Sequence, residues 1–387
     1  MDDTHFQIRV ATSLTDVSKT AWDAAANPPG LPYDPFLSWD FLEALEVSGA
    51  VRPETGWSPC HILVDGPGGQ LRAAMPLYAK TNSQGEFVFD HSWADAYERA
   101  GGSYYPKLLS AVPFTPVTGR RRLVPPGPDA TRLNDALLMG AVQVAEQNDF
   151  SSLHMNFVPP DEAENLDSNG LLIRTDQQFH WTNDGYASFD DFLAALSSSK
   201  RKNLRKERAK AQSDLTFVHL TGAEITEAHW DAFYAFYIDT GSRKWGTPYL
   251  TRETFSLLGE RMAQHLLLIF AMDGDTPIAG ALNLIGSDTL YGRYWGCTQP
   301  RPMLHFEVCY YQAIDFAIAH GLKTVEAGAQ GGHKLARGYA PVTTYSAHWI
   351  AHPGLRDAIG AYLESEREAV EREAGYLSER TPFRKDI

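Results

Sequence analysis

Two stretches far apart in the chain repeat the same order of residues, and this internal repeat restricts the fold more than any other feature. The stretches 35-PFLSWDFLEALE-46 and 248-PYLTRETFSLLGE-260 each place proline, an aromatic residue, leucine and a hydroxyl residue before a helical pattern of apolar positions. Each is followed by a strand, a turn containing Asp-Gly and a second strand, in 61–78 and in 267–285. This order is typical of a β-hairpin packed beside a helix.

The later segments of the two copies also match in order. Each copy continues with a strand that ends in tryptophan, then a helix, a short strand and a His-Trp pair. In the first copy these are the strand ending at Trp93, the helix 130–147, the strand 153–157 and His180-Trp181. In the second copy they are the strand ending at Trp295, the helix 304–320, the strand 323–327 and His348-Trp349. We interpret this as a duplicated domain. The sequence therefore predicts an α+β fold of two tandem domains, each a mixed, mainly antiparallel sheet flanked by helices.

The predicted domains span 1–184 and 185–387. The second one opens with a basic helical segment at 197–212 and ends with a helix at 355–377, whose apolar stripe predicts a docked structural element. The first domain carries a long insertion around 96–128.

Composition excludes several classes of protein. The start of the chain lacks the pattern of a signal peptide, and the sequence holds no uncharged apolar run near 18 residues, so we expect a cytoplasmic protein. The three cysteines show no CxxC spacing and the histidines form no HExxH pair, so we expect no metal. The formal net charge of −14 argues against a surface devoted to nucleic acid.

Three long segments resemble a known family. The residues at 92–123, 240–255 and 304–339 resemble the Fem-like predicted N-acyltransferases of the GNAT superfamily, a bacterial group often labelled peptidoglycan biosynthesis or recognition proteins. The resemblance covers nearly the whole chain. It implies transfer of an acyl group from an activated carrier to an amine, with a catalytic second domain and a degenerate first one.

The resemblance also implies where the donor lies. In GNAT domains two neighbouring strands splay apart and hold the donor, which here places it between 291–295 and 324–327 with the helix at Leu304 behind it. Arg293, Tyr294, Trp295 and His305 are then the expected donor-binding residues. The usual glycine-containing pyrophosphate loop is replaced by 299-QPRPMLHF-306, so an acyl-CoA, an aminoacyl-tRNA or a carrier protein all stay open as donors.

Two residues are candidate general bases. Glu326 ends the last core strand of the second copy, where GNAT-type enzymes commonly keep a base, and partial burial of a carboxylate raises its pKa toward neutrality. His333 is the alternative, because an ordinary histidine pKa near 6.5 suits proton abstraction at neutral pH. The same residues also fit a solvated turn, and the sequence does not choose between these interpretations.

Three further segments carry candidate acceptor-binding residues, because cations bind carboxylate or phosphate groups and aromatic rings line pockets. The segments are the loop after the catalytic strand (Gln330, Lys334 and Arg337), the loop at 242–249 (Arg243, Lys244, Trp245 and Tyr249) and the insertion of the first copy (Tyr104, Tyr105 and Lys107). Solvated loop charges and buried loop rings are the alternative interpretation.

The basic stretch 200-KRKNLRKERAK-210 leaves a second function open. A positive helix face binds a nucleic-acid backbone, as a tRNA-dependent Fem-like aminoacyltransferase requires, although a solvated linker helix has the same composition. A non-catalytic module that binds a cell-wall precursor is the third possibility. In each case the acceptor or ligand is a small molecule or a peptide amine.

Overall fold

The computed structural model describes residues 6–244, 248–328 and 331–384, with the side chains of 242–244 excepted. The chain divides into two compact units. Unit 1 comprises Met1–Asp176 and Thr343–Glu371, and unit 2 comprises Gln177–Val342 and Arg372–Ile387.

The strands and helices follow one another along the chain in groups. The strands are β1 (Gln7–Ala11), β2 (Trp57–Pro59), β3 (His61–Asp65), β4 (Leu71–Met75), β5 (Tyr78–Lys80), β6 (Lys107–Ser110), β7 (Ser152–Val158), β8 (Leu172–Thr182), β9 (Thr216–Thr221), β10 (Leu266–Asp273), β11 (Thr276–Ile285), β12 (Thr289–Cys297), β13 (Thr324–Glu326) and β14 (Ala340–Ile350). The helices are α1 (Lys19–Ala26), α2 (Trp39–Val47), α3 (His91–Arg99), α4 (Ala130–Gln147), α5 (Pro160–Ser168), α6 (Phe189–Ala195), α7 (Ser198–Ala211), α8 (Glu227–Lys244), α9 (Arg252–Met262), α10 (Leu304–Phe306), α11 (Gln312–Ala319) and α12 (Pro353–Ser378). A π-helical turn, Glu307–Tyr311, joins α10 to α11, and a 3₁₀ helix spans Gly332–Arg337.

Unit 1 contains two sheets. The larger has the order β2-β5-β6-β7-β14, in which only β6 and β7 run parallel, and the smaller has the order β1-β3-β4. The apolar face of α4, which includes Leu133, Leu137 and Ala141, packs in a core with residues of these strands. Unit 1 is thus a mixed, mainly antiparallel sheet structure with helices on it, as predicted.

Unit 2 is built on one sheet of the order β8-β13-β12-β11-β10-β9. All its strand pairs are antiparallel except β12 with β13. Its core combines strand residues with the helix behind them, for example Ile269 of β10 with Ile314 and Ala317 of α11. The predicted architecture is therefore confirmed for this unit too.

Local sequence signals explain most of these elements. The hairpins β3–β4 and β10–β11 form where apolar runs flank a Gly-containing turn, and Asp273 pairs with Thr276 across the second turn. The side chain of Ser38 accepts a hydrogen bond from the backbone N–H of Phe41 and so caps α2. Thr251 caps α9 in the same way.

The structure corrects three expectations. Trp93 does not end a strand, because Phe87 adopts a φ of 59° and the chain then turns into α3, where Trp93 lies buried in a core cluster. The helix expected over 304–320 is interrupted by its π-helical turn. The predicted domain boundary between residues 184 and 185 differs from the limits of the compact units. Unit 2 already includes Gln177 onward, where β8 pairs with β13, and unit 1 includes β14 from Thr343 onward.

The basic segment forms α7 and the C-terminal helix forms α12, most of which belongs to unit 1. Leu355, Ile359 and Leu363 are the buried residues of α12, which agrees with a docked element. No helix among the described residues has both the length and the hydropathy needed to cross a membrane.

Candidate functional site

The two parallel strands of unit 2 separate partway along their length. Pairing of β12 with β13 ends at Tyr291 opposite Glu326, whereas β12 continues to Cys297 in contact with β11. The space that opens between β12 beyond Tyr291 and the chain beyond Glu326 is called the wedge below. This is the splayed pair of strands that the sequence analysis placed at 291–295 and 324–327.

A β-bulge lies at the mouth of the wedge. In the register of β11 with β12, Leu282 faces Tyr294 and Asn283 faces Gly292, so Arg293 is the extra residue. Bulges bend a strand and re-aim its side chains, and they are frequent beside active sites. The bulge therefore separates β12 from its parallel neighbour and directs Arg293 away from the regular ladder.

A cavity of about 120 Å³ occupies the wedge. Its walls come from β11, from the bulged part of β12, from the helix after it and from the residue that follows β13. The lining residues are Ala281, Asn283, Gly292, Arg293, Tyr294, Trp295, His305, Cys309, Tyr310 and Ala327. All four residues expected to bind the donor, Arg293, Tyr294, Trp295 and His305, are among them.

Glu326 and Arg293 form a buried ion pair beside the cavity. Arg293 Nη2 donates to Glu326 Oε2 at 2.9 Å, and the two side chains are only 2% and 9% exposed. His180 of β8 stands opposite Glu326 in the strand register, with its Nε2 3.9 Å from Glu326 Oε1. Burial lowers the pKa of His180, even though the Glu326 carboxylate raises it, so the ring is neutral near pH 7.

The helix behind the cavity supplies a row of rings in contact with one another. His305 of α10 lies with its ring centroid 5.2 Å from that of Trp295 and 5.4 Å from that of Tyr310. Tyr310, on the π-helical turn, makes a hydrogen bond of 2.9 Å between its Oη and Nε2 of His333. Since His333 is exposed, this pair connects the cavity wall to the protein surface. Partial burial and the Arg337 and Lys334 charges lower the pKa of His333.

The other cations of the predicted loop are buried and have structural contacts. Lys334 is 1% exposed and donates to the carbonyl of Gly328 at 2.7 Å, and burial lowers its pKa to about 8. Arg337 donates to both carboxylate oxygens of Glu207 on α7, at 3.1 and 2.9 Å. Its guanidinium also lies 3.4 Å from the ring centroid of Phe306. These contacts fix the loop to the rest of unit 2, and neither cation projects into solvent.

The remaining candidates fall elsewhere. Tyr104 and Lys107 are fully buried in unit 1, where Lys107 Nζ donates to Glu86 Oε2 at 2.7 Å and to Asp90, and Tyr104 Oη donates to Asp90 Oδ2 at 2.7 Å. Tyr105 shares a hydrogen bond with Ser83 of the same cluster. This burial contradicts the expected contact of Tyr104 and Lys107 with substrate, because the cluster satisfies their polar groups internally.

Part of the 242–249 loop lies outside the described residues. Trp245 and Gln330 lie outside the described residues, and so do the side chains of Arg243 and Lys244, whose backbone ends α8. Tyr249 is 39% exposed, and its backbone N–H donates to Tyr237 Oη at 3.1 Å.

Unit 1 has the same parallel strand pair without an open wedge. Pairing of β6 with β7 ends at Ser110 opposite Met155, and the chain then returns, so that Gly119 N donates to Phe157 O at 3.0 Å. The buried guanidinium of Arg121 fills the same place, with its Nε donating to Asn156 O at 2.8 Å. In unit 1 the protein's own chain thus occupies the position that the cavity occupies in unit 2.

The sequence analysis missed four residues of this site, namely His180, Asn283, Cys309 and Tyr310. His180 belongs to the repeated His-Trp pair, and this repeat predicts a duplicated fold without assigning a role to the histidine. Asn283 stands alone in an apolar strand, and Cys309 and Tyr310 fit the apolar face of a helix, so the sequence around them favours a core role. Among the described residues, no group of three or more His, Cys, Asp or Glu is placed to hold a metal ion.

Comparison with known proteins agrees with the fold. The architecture is that of two tandem units, each a mixed, mainly antiparallel sheet flanked by helices. The sequence matches the FemAB-like family, described as peptidoglycan biosynthesis/recognition, over residues 13–385, so the chain belongs to this family. No curated protein matches the sequence.

Several solved structures are similar to the chain. The crystal structure of FemX is 13% identical with a TM-score of 0.55, over 89% of this chain and 98% of that one. A conserved protein of unknown function from Bacteroides thetaiotaomicron VPI-5482 is 11% identical with a TM-score of 0.51, over 88% and 99%. A tandem GNAT protein from the clavulanic acid biosynthesis pathway is 12% identical with a TM-score of 0.48, over 90% and 99%. The sequence match shows the family and the solved structures show the fold, and neither specifies a donor.

Proposed function

We propose that unit 2 transfers an acyl or aminoacyl group from an activated carrier to an amine, with the reacting carbonyl in the wedge cavity. The observation that carries this proposal is the wedge itself: strand pairing stops at Tyr291 and Glu326, and the space is lined by a cation, a histidine and a tyrosine. Unit 1 is then a partner without a donor site, because Arg121 and the loop before it occupy its wedge.

Arg293 stabilises the charge that develops on the carbonyl oxygen. Attack of an amine on a carbonyl places negative charge on that oxygen, and a fixed cation in a site shielded from water stabilises it strongly. Glu326 holds the Arg293 guanidinium at the cavity wall through their ion pair. In this assignment Glu326 is a positioning residue, and its use as the base is the alternative that the experiment below tests.

His333 takes the proton of the amine by way of Tyr310. The amine N–H gives its proton to Tyr310 Oη while the Tyr310 hydroxyl proton moves to Nε2 of His333, so both atoms keep their valence. Burial raises the pKa of Tyr310, which keeps the phenol protonated, and the lowered pKa of His333 keeps that imidazole neutral and able to accept. On breakdown of the intermediate the proton returns along the same pair to the leaving group.

The exposed face of α7 favours an aminoacyl-tRNA as one donor class. Arg208 of this helix faces inward and pairs with Glu307 and Asp315, whereas four other cations are exposed, namely Lys202, Arg205, Lys206 and Lys210. A cluster of exposed cations on one helix binds a phosphate backbone in a salt-dependent way. The alternative phosphate site is the start of the helix at Leu304. The nearby Arg301 is bound to Asp273, so no observation favours a coenzyme A pyrophosphate at this site.

The acceptor class follows from the family. Because the family is described by peptidoglycan biosynthesis/recognition, we propose an amine of a peptidoglycan stem peptide as acceptor. The third possibility, a binding module without catalysis, predicts that a ligand binds with unchanged affinity after Glu326→Gln and His333→Gln.

The test is a transfer assay with two donor sets, labelled acyl-CoA species and a pool of charged tRNA, each supplied with stem peptides that carry a free amine. We expect transfer by the wild type, with a loss of kcat of about 100-fold in His333→Gln, in the range of a general base. The matched control is His265→Gln, a histidine of the same unit whose Nδ1 bonds the Ile285 carbonyl outside the cavity. Absence of transfer from every donor, or full activity in His333→Gln, contradicts the proposal.

The pH profile separates the two bases. If His333 is the base, kcat/KM of the wild type falls on the acid side of a pKa below 6.5, and this acid limb disappears in His333→Gln. If the limb persists in His333→Gln and disappears in Glu326→Gln, Glu326 is the base.

A further inference from the structure

The side chain of Asn283 is buried in the cavity wall with a defined orientation. It is 1% exposed, and its Nδ2 donates to the carbonyls of Leu267 at 3.3 Å and Ala281 at 3.4 Å. Both partners are acceptors, so only the amide nitrogen can face them. The assignment of oxygen and nitrogen in this amide therefore rests on its two partners, and Oδ1 points the other way.

That oxygen is the unpaired atom of the side chain. Within the described part of the chain, Asn283 Oδ1 is buried and has no hydrogen-bond partner. A Cβ added at Gly292 would lie 3.2 Å from it, and both Gly292 and Asn283 line the cavity. Native proteins rarely leave a buried acceptor unpaired, so an unpaired acceptor that also lines a cavity calls for a partner such as a ligand donor.

The neighbouring cavity wall offers the complementary group. Arg293 has donors only, whereas Asn283 turns an acceptor toward the same space. An oxygen of a ligand therefore suits Arg293, and an N–H of the same or a second ligand suits Asn283.

We propose that Asn283 Oδ1 accepts a hydrogen bond from a substrate N–H in the wedge cavity. This inference rests on the proposed function for the identity of that substrate: the N–H belongs either to the amine that is acylated or to an amide of the donor carrier. The shared chemistry is a neutral N–H donor beside a carbonyl. No other residue of the cavity wall is assigned this contact.

The test uses two small amides that differ in one group. N-methylacetamide carries a carbonyl and an N–H, and N,N-dimethylacetamide carries the same carbonyl without an N–H. Each is titrated into the full-length protein, with binding followed in TROSY spectra at the amide resonances of Ala281 and Gly292. We expect N-methylacetamide to bind about 5- to 10-fold more tightly, the effect of one net hydrogen bond.

Two variants assign the preference to one atom. Asn283→Leu has a similar shape without the acceptor and is expected to bind both amides equally. Asn283→Asp keeps an oxygen at the cavity and is expected to retain the preference. Equal binding of the two amides by the wild type, no binding of either, or a preference that survives in Asn283→Leu overturns the inference.

Thermal unfolding separates this role from a structural one. Asn283→Leu removes a buried acceptor that the free protein leaves unpaired, and it also removes the two long hydrogen bonds to Leu267 and Ala281. Because these effects oppose each other, we expect its Tm to change by no more than about 2 °C. A fall of Tm of several degrees, with no change in amide preference, would show that the side chain only supports the strands. The amide probes require no transfer, so a protein without transferase activity still tests Asn283, and intact transfer with no N–H preference refutes this inference alone.

Discussion

The ion pair of Arg293 with Glu326 gives a stability prediction that depends on burial alone. The two side chains are 2% and 9% exposed and their atoms are 2.9 Å apart. Removing one charge from such a pair leaves the other charge buried without compensation, which costs about 3–5 kcal/mol. Gln at 326 keeps a hydrogen-bond acceptor, so we expect the low end, about 3 kcal/mol. For a unit of 150–250 residues this lowers Tm by about 6–12 °C.

A second ion pair of unit 2 serves as the matched control. Arg301 and Asp273 are also 2.9 Å apart, but their side chains are 41% and 47% exposed. Exposed pairs contribute about 0–1 kcal/mol, so Asp273→Asn is expected to change the free energy of unfolding by less than about 1 kcal/mol. Both variants remove one carboxylate charge at the same distance, and only burial differs.

The assay is urea unfolding of wild type, Glu326→Gln, Asp273→Asn and the double variant Glu326→Leu with Arg293→Met. An apolar pair often replaces a buried ion pair without loss, so the double variant is expected within about 1 kcal/mol of wild type. Equal effects of Glu326→Gln and Asp273→Asn, or a double variant as unstable as Glu326→Gln, would refute the reasoning.

Three further predictions follow from other contacts. Burial lowers the pKa of His154 to about 3 and lowers that of His348 well below its usual range, so the unfolded chain binds protons that the folded chain does not. The free energy of unfolding, measured in urea, should therefore fall as pH drops below about 6.5, by up to about 1.4 kcal/mol per pH unit for each histidine. His348→Gln should reduce this slope. A Cβ at Gly296 would lie 2.1 Å from the Phe236 carbonyl oxygen, so Gly296→Ala should lower Tm by several degrees. As a control, a Cβ at Gly360 on α12 would lie 3.6 Å from its nearest atom, so Gly360→Ala should leave Tm unchanged or raise it. Glu207→Gln removes the carboxylate that holds Arg337, so hydrogen exchange across 332–337 should speed up, whereas Arg205→Gln, which breaks an exposed pair with Asp190, should not alter it.

The sequence predicted the elements whose signals are local. The hairpins β3–β4 and β10–β11 carry their turn residues between two apolar runs, and α4 spans the predicted residues 130–147. The family resemblance likewise predicted that the strands at 291–295 and 324–327 splay apart, and the wedge lies between them. These features depend on neighbours in the chain, which is why pattern and turn chemistry suffice.

The missing parts depend on contacts between distant residues. Glu326 and Arg293 meet because a bulge in β12 coincides with the end of its pairing to β13, and neither event has a signature in the residues themselves. Lys107 looked like a binding residue because a charged side chain in an insertion is normally solvated. Its burial is possible only because Glu86 and Asp90 are brought to it by the fold.

The most direct test of the central claim fills the wedge cavity. Ala281 lines it and is 3% exposed, so Ala281→Leu places a side chain where the reacting carbonyl is expected. Ala79→Leu, in a strand of unit 1, is the matched control for the same change of side chain. With the donor that supports transfer by the wild type, we expect Ala281→Leu to remain folded by circular dichroism and to lose transfer at least 100-fold, and Ala79→Leu to retain it. Undiminished transfer by folded Ala281→Leu would show that the chemistry takes place elsewhere.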